Sequence, residues 1–245
     1  MDLEDNLFTM SKPKNEPNFS IDIEVVKDDI TKREVDVIVN AAHDDLTGGG
    51  GVDGAIHAAA GQKLLEECLQ LYGCPEGETR ITNGYDLPAK YIIHTVGPVW
   101  TSDKKKQAIA IATLSHCYRN ALSMAELQGL KSIAFPCIST GAYCFPKAMA
   151  AQIAVHTTYE WVHRYVGHVK NTKGCYIDLV EFVCFSDEDV EIYRQAIKDE
   201  EESRTFPKCH RPDGLICSNR KGVDQCAAEK GCWMDRKDEK RDIEE

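Results

Sequence analysis

The feature that most constrains the fold is an alternation of short strand-like runs with longer helical stretches between Phe19 and Ala196. Ile21 to Val26 alternates apolar and polar residues, as a half-buried strand does, and Val35 to Val39 is a second, more buried run. Further strands are expected at 92–96, 132–135 and 176–185, and helices at 53–71, 106–128, 147–165 and 189–198. Strands that alternate with helices predict an α/β fold of three layers, α/β/α, with a largely parallel or mixed central sheet.

Composition narrows the class of protein. A chain of 245 residues, 42% of them hydrophobic, can bury a core, which excludes disorder throughout. The formal net charge of −11 repels a phosphate backbone, so non-specific binding to nucleic acid is not expected. No apolar stretch reaches the ~20 residues that span a bilayer, and the first residues lack a secretory signal. We expect an intracellular protein, cytoplasmic, nuclear or both, with no membrane or nucleic-acid partner, and we expect a monomer.

The composition changes at both ends of the chain. Residues 1–18 are polar and are interpreted as a flexible lead-in, residues 19–199 as the α/β domain, and residues 200–245 as an irregular, charged tail. Four of the 11 cysteines lie in this tail, at separations of eight, nine and six positions, without the closely spaced pairs of zinc fingers. A zinc site and a mobile extension with incidental thiols both stay open. The candidate zinc ligands are Cys209, His210, Cys217, Cys226 and Cys232.

Four consecutive glycines, Gly48 to Gly51, lie between a predicted buried strand and a predicted helix. Glycine lets a ligand approach main-chain N–H groups closely, and the free N–H groups at a helix N-terminus form an anion site. The spacing fits neither a P-loop nor a GxGxxG dinucleotide motif. A flexible loop is the alternative, but strand-to-helix loops are short and seldom need four glycines. The pattern favours a phosphate-binding site.

Asp53 and His57 follow this loop four residues apart, so they share one face of the predicted helix. Asp53 has a structural explanation as a helix-capping acid, and His57 as an ordinary hydrogen-bonded helix residue. A carboxylate beside an anion site repels the ligand, however, unless it has a task such as orienting or deprotonating water. Asp53 is therefore a candidate catalytic residue. His94 lies in an apolar strand, where a hydrogen-bonded core residue is favoured over a ligand.

A second loop, residues 135–146, also leads from a predicted strand to a predicted helix. Ser139, Thr140 and Gly141 offer two hydroxyls and a permissive backbone to a phosphate, and Tyr143 and Phe145 are candidates for stacking on a sugar or base. In an open α/β sheet, ligands lie beyond the carboxyl ends of the strands, where both loops are expected. The two loops are therefore predicted to form one diphosphate cradle.

Three motifs, in this order, resemble the macrodomain family of the MacroD type. They are Asn-Ala-Ala-x-x-x-Leu-x-Gly-Gly-Gly-Gly-Val-Asp-Gly-x-Ile-His at 40–57, Ile-Ile-His-Thr-Val-Gly-Pro at 92–98 and Pro-Cys-Ile-Ser-Thr-Gly at 136–141. The resemblance covers roughly residues 20–198 and is specific because the motifs occur together. It implies the macrodomain fold, with its mixed central sheet, and a cleft that binds ADP-ribose.

The resemblance also implies roles for individual residues. Asp29 matches the residue that accepts a hydrogen bond from the adenine amino group, and Phe185 matches the aromatic residue that stacks on adenine. Asn40 matches the residue that contacts the distal ribose, Asp53 the proposed catalytic acid and His57 the histidine implicated with it. The implied contacts with ADP-ribose are Asp29, Ile30, Asn40, His43, Gly49, Gly50, Gly51, Val52, Ser139, Thr140, Gly141, Ala142, Tyr143 and Phe185.

Two positions depart from the family pattern. Asp28 stands where the family has a glycine before Asp29, which is expected to alter that turn. His43 stands where the family's Asn-Ala-Ala-Asn has its last asparagine, at the distal-ribose end. Histidine is bulkier and titrates near neutral pH. We therefore expect ADP-ribose binding to survive and turnover to be weaker.

The activity that the resemblance implies is hydrolysis of the ester between the distal ribose of ADP-ribose and a Glu or Asp side chain of a mono-ADP-ribosylated protein. Deacetylation of O-acetyl-ADP-ribose is the related small-molecule reaction. Water between Asp53 and the α-phosphate attacks the ester or the anomeric carbon, with Asn40 and the glycine amides holding the ligand, and no metal or cofactor is required. The alternative is a reader that binds ADP-ribose without cleaving it, which His43 favours. Binding of single-stranded RNA is disfavoured by the net charge of −11.

Overall fold

A computed structural model describes residues 21–169 and 177–205, which form a sheet with helices on both faces. The strands are β1 (Asp22–Lys27), β2 (Val37–Ala41), β3 (Thr79–Asn83), β4 (Tyr91–Thr95), β5 (Ser132–Phe135) and β6 (Leu179–Cys184). The helices are α1 (Gly51–Ala60), α2 (Gln62–Leu69), α3 (Lys104–Leu127), α4 (Lys147–Val169) and α5 (Asp187–Thr205), with a short 3₁₀ helix at Ile30–Lys32. None of these described helices is apolar enough over a sufficient length to cross a membrane. The lead-in at 1–18 and the candidate zinc ligands Cys209, His210, Cys217, Cys226 and Cys232 lie outside the described residues.

The sheet is mixed, as predicted. Its six strands lie in the order β1-β6-β5-β2-β4-β3, and β3 pairs antiparallel with β4 at one edge. The other pairings between these strands are parallel. Because β1, β6, β5 and β2 are parallel neighbours, their carboxyl ends meet at one edge of the sheet, and the segments that follow them lie together there.

Helices pack on both faces of the sheet through apolar side chains, which confirms the three-layer prediction. On one face Ile56 of α1 and Ile38 of β2 belong to the same buried cluster. On the other face Phe182 of β6 contacts Tyr118 of α3 and Tyr193 of α5, with ring centroids 6.4 and 5.0 Å away. Since strand side chains alternate between faces, each central strand contributes to both layers.

The predicted single helix at 53–71 is wrong, because the structure divides it into α1 and α2. Gly61 lies between them with a φ of 83°, in the left-handed region that favours glycine. A Cβ at this position would lie 2.7 Å from Asp86 Oδ2. The apolar spacing of four continues through Gly61, so periodicity alone does not reveal the break. Helix α1 also begins earlier than predicted, at Gly51.

Strand β3 has no counterpart in the prediction. It lies at the edge of the sheet, where only Thr82 among its residues is buried. An edge strand with one buried polar residue lacks the alternating apolar pattern from which strands are recognised.

Helix α5 continues to Thr205, past Asp199, where we expect the helical pattern to stop; that expectation is wrong. Its last turns are rich in glutamate and carry no apolar period, but Arg204 Nε lies 2.8 Å from Glu200 Oε1, one turn away. Among the described residues, the compact unit that contains the sheet ends at Ala196.

Candidate active site

A cleft of about 740 Å³ opens at the edge of the sheet where β1, β2, β5 and β6 end. The segments that follow these strands form its walls, as predicted from the position of the two loops. Asp53 lines the cleft, together with every predicted ADP-ribose contact except Asn40. Those lining residues are Asp29, Ile30, His43, Gly49, Gly50, Gly51, Val52, Ser139, Thr140, Gly141, Ala142, Tyr143 and Phe185.

The glycine loop, Gly48–Gly51, leads directly into α1. Gly50 is the N-cap residue of α1. Because glycine has no side chain, the first N–H groups of the helix have no side-chain cap. Gly48 lies against the His57 ring, where an added Cβ would be 3.1 Å from His57 Cγ. Gly54 packs so closely on the Gly49 carbonyl that a Cβ there would collide with it. Such uncapped N–H groups at a helix N-terminus form an anion site.

The loop 136–146 turns sharply at Ser139, whose φ of 66° is rare for a residue other than glycine. The Ser139 carbonyl accepts a hydrogen bond from Phe145 N at 3.0 Å, and the buried Ser139 Oγ has no hydrogen-bond partner among the described residues. Tyr143 lines the cleft. Phe145 is instead buried, with its ring centroid 4.5 Å from that of Trp100. The predicted stacking role of Phe145 is therefore wrong, because this turn directs the side chain into the core.

Asp53 is a buried carboxylate in the wall of the cleft, with 4% of its surface exposed. Its Oδ1 accepts a hydrogen bond from Asn40 Nδ2 at 2.7 Å, and its Oδ2 accepts one from the backbone N–H of His43 at 3.3 Å. Both donors belong to β2 and the segment after it, and neither is an N–H of α1. Helix capping therefore does not explain why an acid occupies this position.

His57 lies one turn after Asp53 on α1. Its Nε2 is 3.6 Å from Asp53 Oδ1, beyond hydrogen-bonding distance, and has no hydrogen-bond partner among the described residues. His57 does not line the cleft, because Gly48 packs against its ring. The helix thus brings His57 close to the carboxylate of Asp53 from behind the cleft wall.

Asn40 is fully buried and belongs to a row of polar side chains that crosses three strands. Its Nδ2 lies 3.1 Å from His94 Nδ1, and His94 Nε2 lies 2.9 Å from Thr82 Oγ1. Burial lowers the pKa of His94 to about 3, so the imidazole is neutral at physiological pH. Sequence reasoning missed Thr82, because its contact with His94 depends on the pairing of β3 with β4.

His43, which replaces the asparagine of the family pattern, lines the cleft with its ring held by two acidic neighbours. Its Nδ1 lies 2.9 Å from Asp44 Oδ1 and 3.4 Å from Asp45 Oδ1, and 57% of the side chain is exposed. The same residue supplies the backbone N–H that holds Asp53 Oδ2. The substitution therefore keeps the main-chain support of Asp53 while adding an exposed ring beside it.

Two adjacent carboxylates form the turn after β1. Asp29 Oδ1 accepts hydrogen bonds from Thr31 Oγ1 at 2.7 Å and from Thr31 N at 3.0 Å, and these bonds lower the pKa of Asp29. Asp28 Oδ2 accepts a hydrogen bond from Arg33 Nη1 at 2.8 Å, which lowers the pKa of Asp28. Both carboxylates line the cleft, and each has a basic neighbour, Arg33 for Asp28 and Lys32 for Asp29.

Arg33 also holds a buried acid that sequence reasoning missed. Its Nε donates to Glu181 Oε2 at 2.9 Å, and Glu181 is only 2% exposed in the middle of β6. The signal in the sequence was the charge of Glu181 inside an apolar strand, because a buried charge needs a partner. The two residues are 148 positions apart, so the partner follows only from the pairing of β1 with β6.

Two groups of described residues bring metal-ligating atoms within 4.8 Å of one another. His57, Cys68 and His94 form the first group, in which Thr82 already occupies His94 Nε2 and burial raises the pKa of Cys68 to about 11. None of these three residues lines the cleft. The second group consists of the exposed residues His43, Asp44 and Asp45.

The sequence and the fold match those of known proteins. Residues 39–154 match the family model of the Macro domain. The O-acetyl-ADP-ribose deacetylase of Klebsiella pneumoniae is 49% identical over 178 residues, which cover 71% of this chain and 95% of that protein. The ADP-ribose glycohydrolase MACROD2 of Mus musculus is 43% identical over 194 residues, 78% of this chain and 38% of that protein.

Among solved structures, the Oceanobacillus iheyensis macrodomain with ADP superimposes with a TM-score of 0.65 at 40% identity. The alignment covers 80% of this chain and 98% of that one. The mixed sheet and the glycine loop of this chain agree with these relatives. The chain belongs to the macrodomain family.

Proposed function

We propose that this macrodomain binds ADP-ribose in the cleft and hydrolyses the ester that joins mono-ADP-ribose to Glu or Asp side chains of modified proteins. Relatives named as an ADP-ribose glycohydrolase and an O-acetyl-ADP-ribose deacetylase support this substrate class. The observation that carries the proposal is the buried carboxylate of Asp53, which lines the cleft directly after the glycine loop.

The two loops provide the groups that a diphosphate needs. Gly50, Gly51 and Val52 line the cleft at the start of α1, where the first N–H groups have no side-chain cap, and the turn at Ser139 supplies a hydroxyl without a partner among the described residues. Donors fixed by the backbone bind phosphate oxygens without a lysine or arginine. A ligand with two linked phosphates therefore fits the cleft in spite of the negative net charge of the chain.

The turn after β1 and the end of β6 supply the adenine site. Phe185 is 88% exposed and lines the cleft, so its ring is free to stack on a base. Asp29 Oδ1 is engaged by Thr31, whereas Oδ2, 3.7 Å from Lys32 Nζ, retains lone pairs for the amino group of adenine. The distal ribose then extends towards the glycine loop and Asp53.

Asp53 acts on water in this proposal. Asn40 and the backbone of His43 fix its carboxylate, so that one lone pair accepts a hydrogen bond from a water molecule beside the α-phosphate. The water oxygen bonds to the ester carbonyl carbon or to C1″ of the ribose, the ester C–O bond breaks, and the proton of the water passes to the departing oxygen. The products are ADP-ribose and a free carboxyl side chain. With O-acetyl-ADP-ribose the water oxygen bonds to the acetyl carbonyl carbon, the acyl C–O bond breaks and the ribose oxygen takes the proton, which releases acetate.

A reader without turnover is the second candidate, and His43 is the observation that favours it. The exposed ring lies in the cleft wall near the position where the ester enters. It narrows the room for a water molecule without removing the residues that bind the nucleotide.

A timed release assay distinguishes the two candidates. The full chain is incubated with a protein that carries mono-ADP-ribose on glutamate, and ADP-ribose binding is measured in parallel by calorimetry. We expect release by the wild type, and a loss of about a hundredfold or more in Asp53→Ala with binding nearly intact. Glu66→Ala, which removes an exposed acid of α2 outside the cleft lining, is the matched control and should release normally. Binding without release by the wild type would establish the reader.

A further inference from the structure

The amide of Asn40 is held by two acceptors on different elements. One N–H of Nδ2 is directed to Asp53 Oδ1 at 2.7 Å and the other to His94 Nδ1 at 3.1 Å. Asn40 and His94 are direct partners in the pairing of β2 with β4, and both are fully buried. If the amide were turned over, its oxygen would face a carboxylate oxygen and an imidazole lone pair, which is unfavourable. The two acceptors therefore fix which way the amide points.

The acceptor role of His94 depends on its tautomer. A neutral imidazole carries one hydrogen, and the N–H of Asn40 requires a lone pair at Nδ1. The hydrogen of His94 must then be on Nε2, which lies 2.9 Å from Thr82 Oγ1. Thr82 is itself 2% exposed, so its hydroxyl is a fixed acceptor in the neighbouring strand. The row from Thr82 through His94 and Asn40 to Asp53 thus has one consistent direction of hydrogen bonding.

We infer that His94 is a positioning residue for the hydrolysis, one that acts through Asn40 by fixing its amide so that the nitrogen supports Asp53. The inference rests on the proposed function, and neither His94 nor Thr82 lines the cleft. Asn40 Oδ1 is left buried and without a hydrogen-bond partner among the described residues. Loss of the His94 acceptor frees the amide to rotate, and both the support of Asp53 and this oxygen are then misplaced.

Two substitutions of His94 distinguish positioning from packing. In His94→Asn the side-chain oxygen takes the place of Nδ1 and still accepts from Asn40, although the smaller side chain leaves a cavity. In His94→Gln the longer amide reaches the place of Nε2 and fills the site better, but no acceptor faces Asn40. A merely structural role predicts that Gln is tolerated at least as well as Asn, because it preserves more volume.

The assay measures kcat and KM for release from a mono-ADP-ribosylated protein, with the melting temperature of each variant. We expect His94→Gln to lose about tenfold or more in kcat with little change in KM. His94→Asn should retain most of the wild-type kcat in spite of a lower melting temperature. Equal losses in the two variants, or better activity in the Gln variant, would overturn the inference. Exposed His116→Gln is the matched control and should behave as the wild type.

A measurement on the wild type keeps the inference testable whether or not the variants fold and whether or not the protein is a hydrolase. Nitrogen NMR of the imidazoles should show His94 as the Nε2–H tautomer, with no protonation between about pH 5 and pH 8. An Nδ1–H tautomer would overturn the inference, because Nδ1 would then compete with the Asn40 amide as a donor. If the NMR result agrees and the wild type releases nothing, the proposed hydrolysis fails instead.

Discussion

Asn40 on β2 and Asp53 on α1 are joined by a hydrogen bond of 2.7 Å from Nδ2 to Oδ1. The residues are 13 positions apart, and the glycine loop lies between them in the chain. The bond therefore connects the sheet to the first turn of the helix across the segment that supplies the phosphate donors. One buried contact thus couples the ligand-binding backbone to the carboxylate that acts on water.

Replacement of Asn40 by aspartate should make the release of ADP-ribose faster at lower pH. Asn40→Asp places a second carboxyl group beside Asp53, and two buried carboxyls at this distance do not both ionise readily. The shared proton raises the apparent pKa of the pair, and only a protonated partner donates to Asp53. We expect a low rate near pH 8 that increases towards about pH 5, measured as a pH profile of release. Asn40→Ala has no group to titrate, so a similar profile in that variant would contradict the explanation.

Removal of the Phe185 ring should weaken binding without affecting stability. The ring lines the cleft but is 88% exposed in the free protein, so it contributes little to the core. Loss of stacking on one base costs about 1–3 kcal/mol, or roughly 5- to 150-fold in Kd. Calorimetry with ADP-ribose and thermal unfolding of Phe185→Ala measure the two effects. Tyr72→Ala removes another exposed aromatic, outside the cleft lining, and should bind normally. If Phe185→Ala matches it, Phe185 has no part in adenine binding.

Loss of Arg33 should destabilise the fold, because it leaves Glu181 buried without a partner. Breaking such a pair from one side costs about 3–5 kcal/mol in the free energy of unfolding. Urea denaturation of Arg33→Ala measures this cost, and the double variant Arg33→Ala/Glu181→Gln should recover most of it. Lys27→Ala breaks the exposed ion pair with Asp187 and should change stability little. A similar small effect in Arg33→Ala would show that the pair is not needed.

Substitutions at two glycines should separate the effect of close packing in the glycine loop from the effect of an added methyl group at its surface. A Cβ at Gly54 collides with the Gly49 carbonyl, so Gly54→Ala should displace the loop and reduce both stability and affinity for ADP-ribose, the latter by about tenfold or more. Gly50 has an extended backbone with a φ of −95° and open space around its Cβ position. Gly50→Ala should therefore unfold at nearly the wild-type temperature. A stable Gly54→Ala variant with normal affinity would show that the close packing is unnecessary.

The parts of the fold with local signals could be predicted. The apolar run that becomes β2 and the glycines before α1 specify a strand, a turn and a helix within one stretch of the chain. The parallel neighbours then place the two loops at one edge of the sheet. Strand β3 and the break at Gly61 carry no such signal, because the first buries only Thr82 and the second does not interrupt the apolar spacing.

Many residues of the site could be predicted from the sequence, but the contacts between them could be predicted less well. Asp53 and the glycines follow from one short motif, whereas the bond between Asn40 and His94 depends on the register of β2 against β4. The pairing of Arg33 with Glu181 likewise needs the order of the strands. Contacts of this kind arise from long-range pairing, and spacing in the sequence does not encode it locally.

Titration calorimetry of ADP-ribose into the full, folded chain measures whether the cleft binds this nucleotide. We expect a saturable one-to-one heat that Asp53→Ala retains, because the two loops and Phe185 hold the nucleotide and Asp53 acts only on water. Absence of heat with the wild type, while thermal unfolding shows a folded protein, would contradict the assignment of the cleft to ADP-ribose.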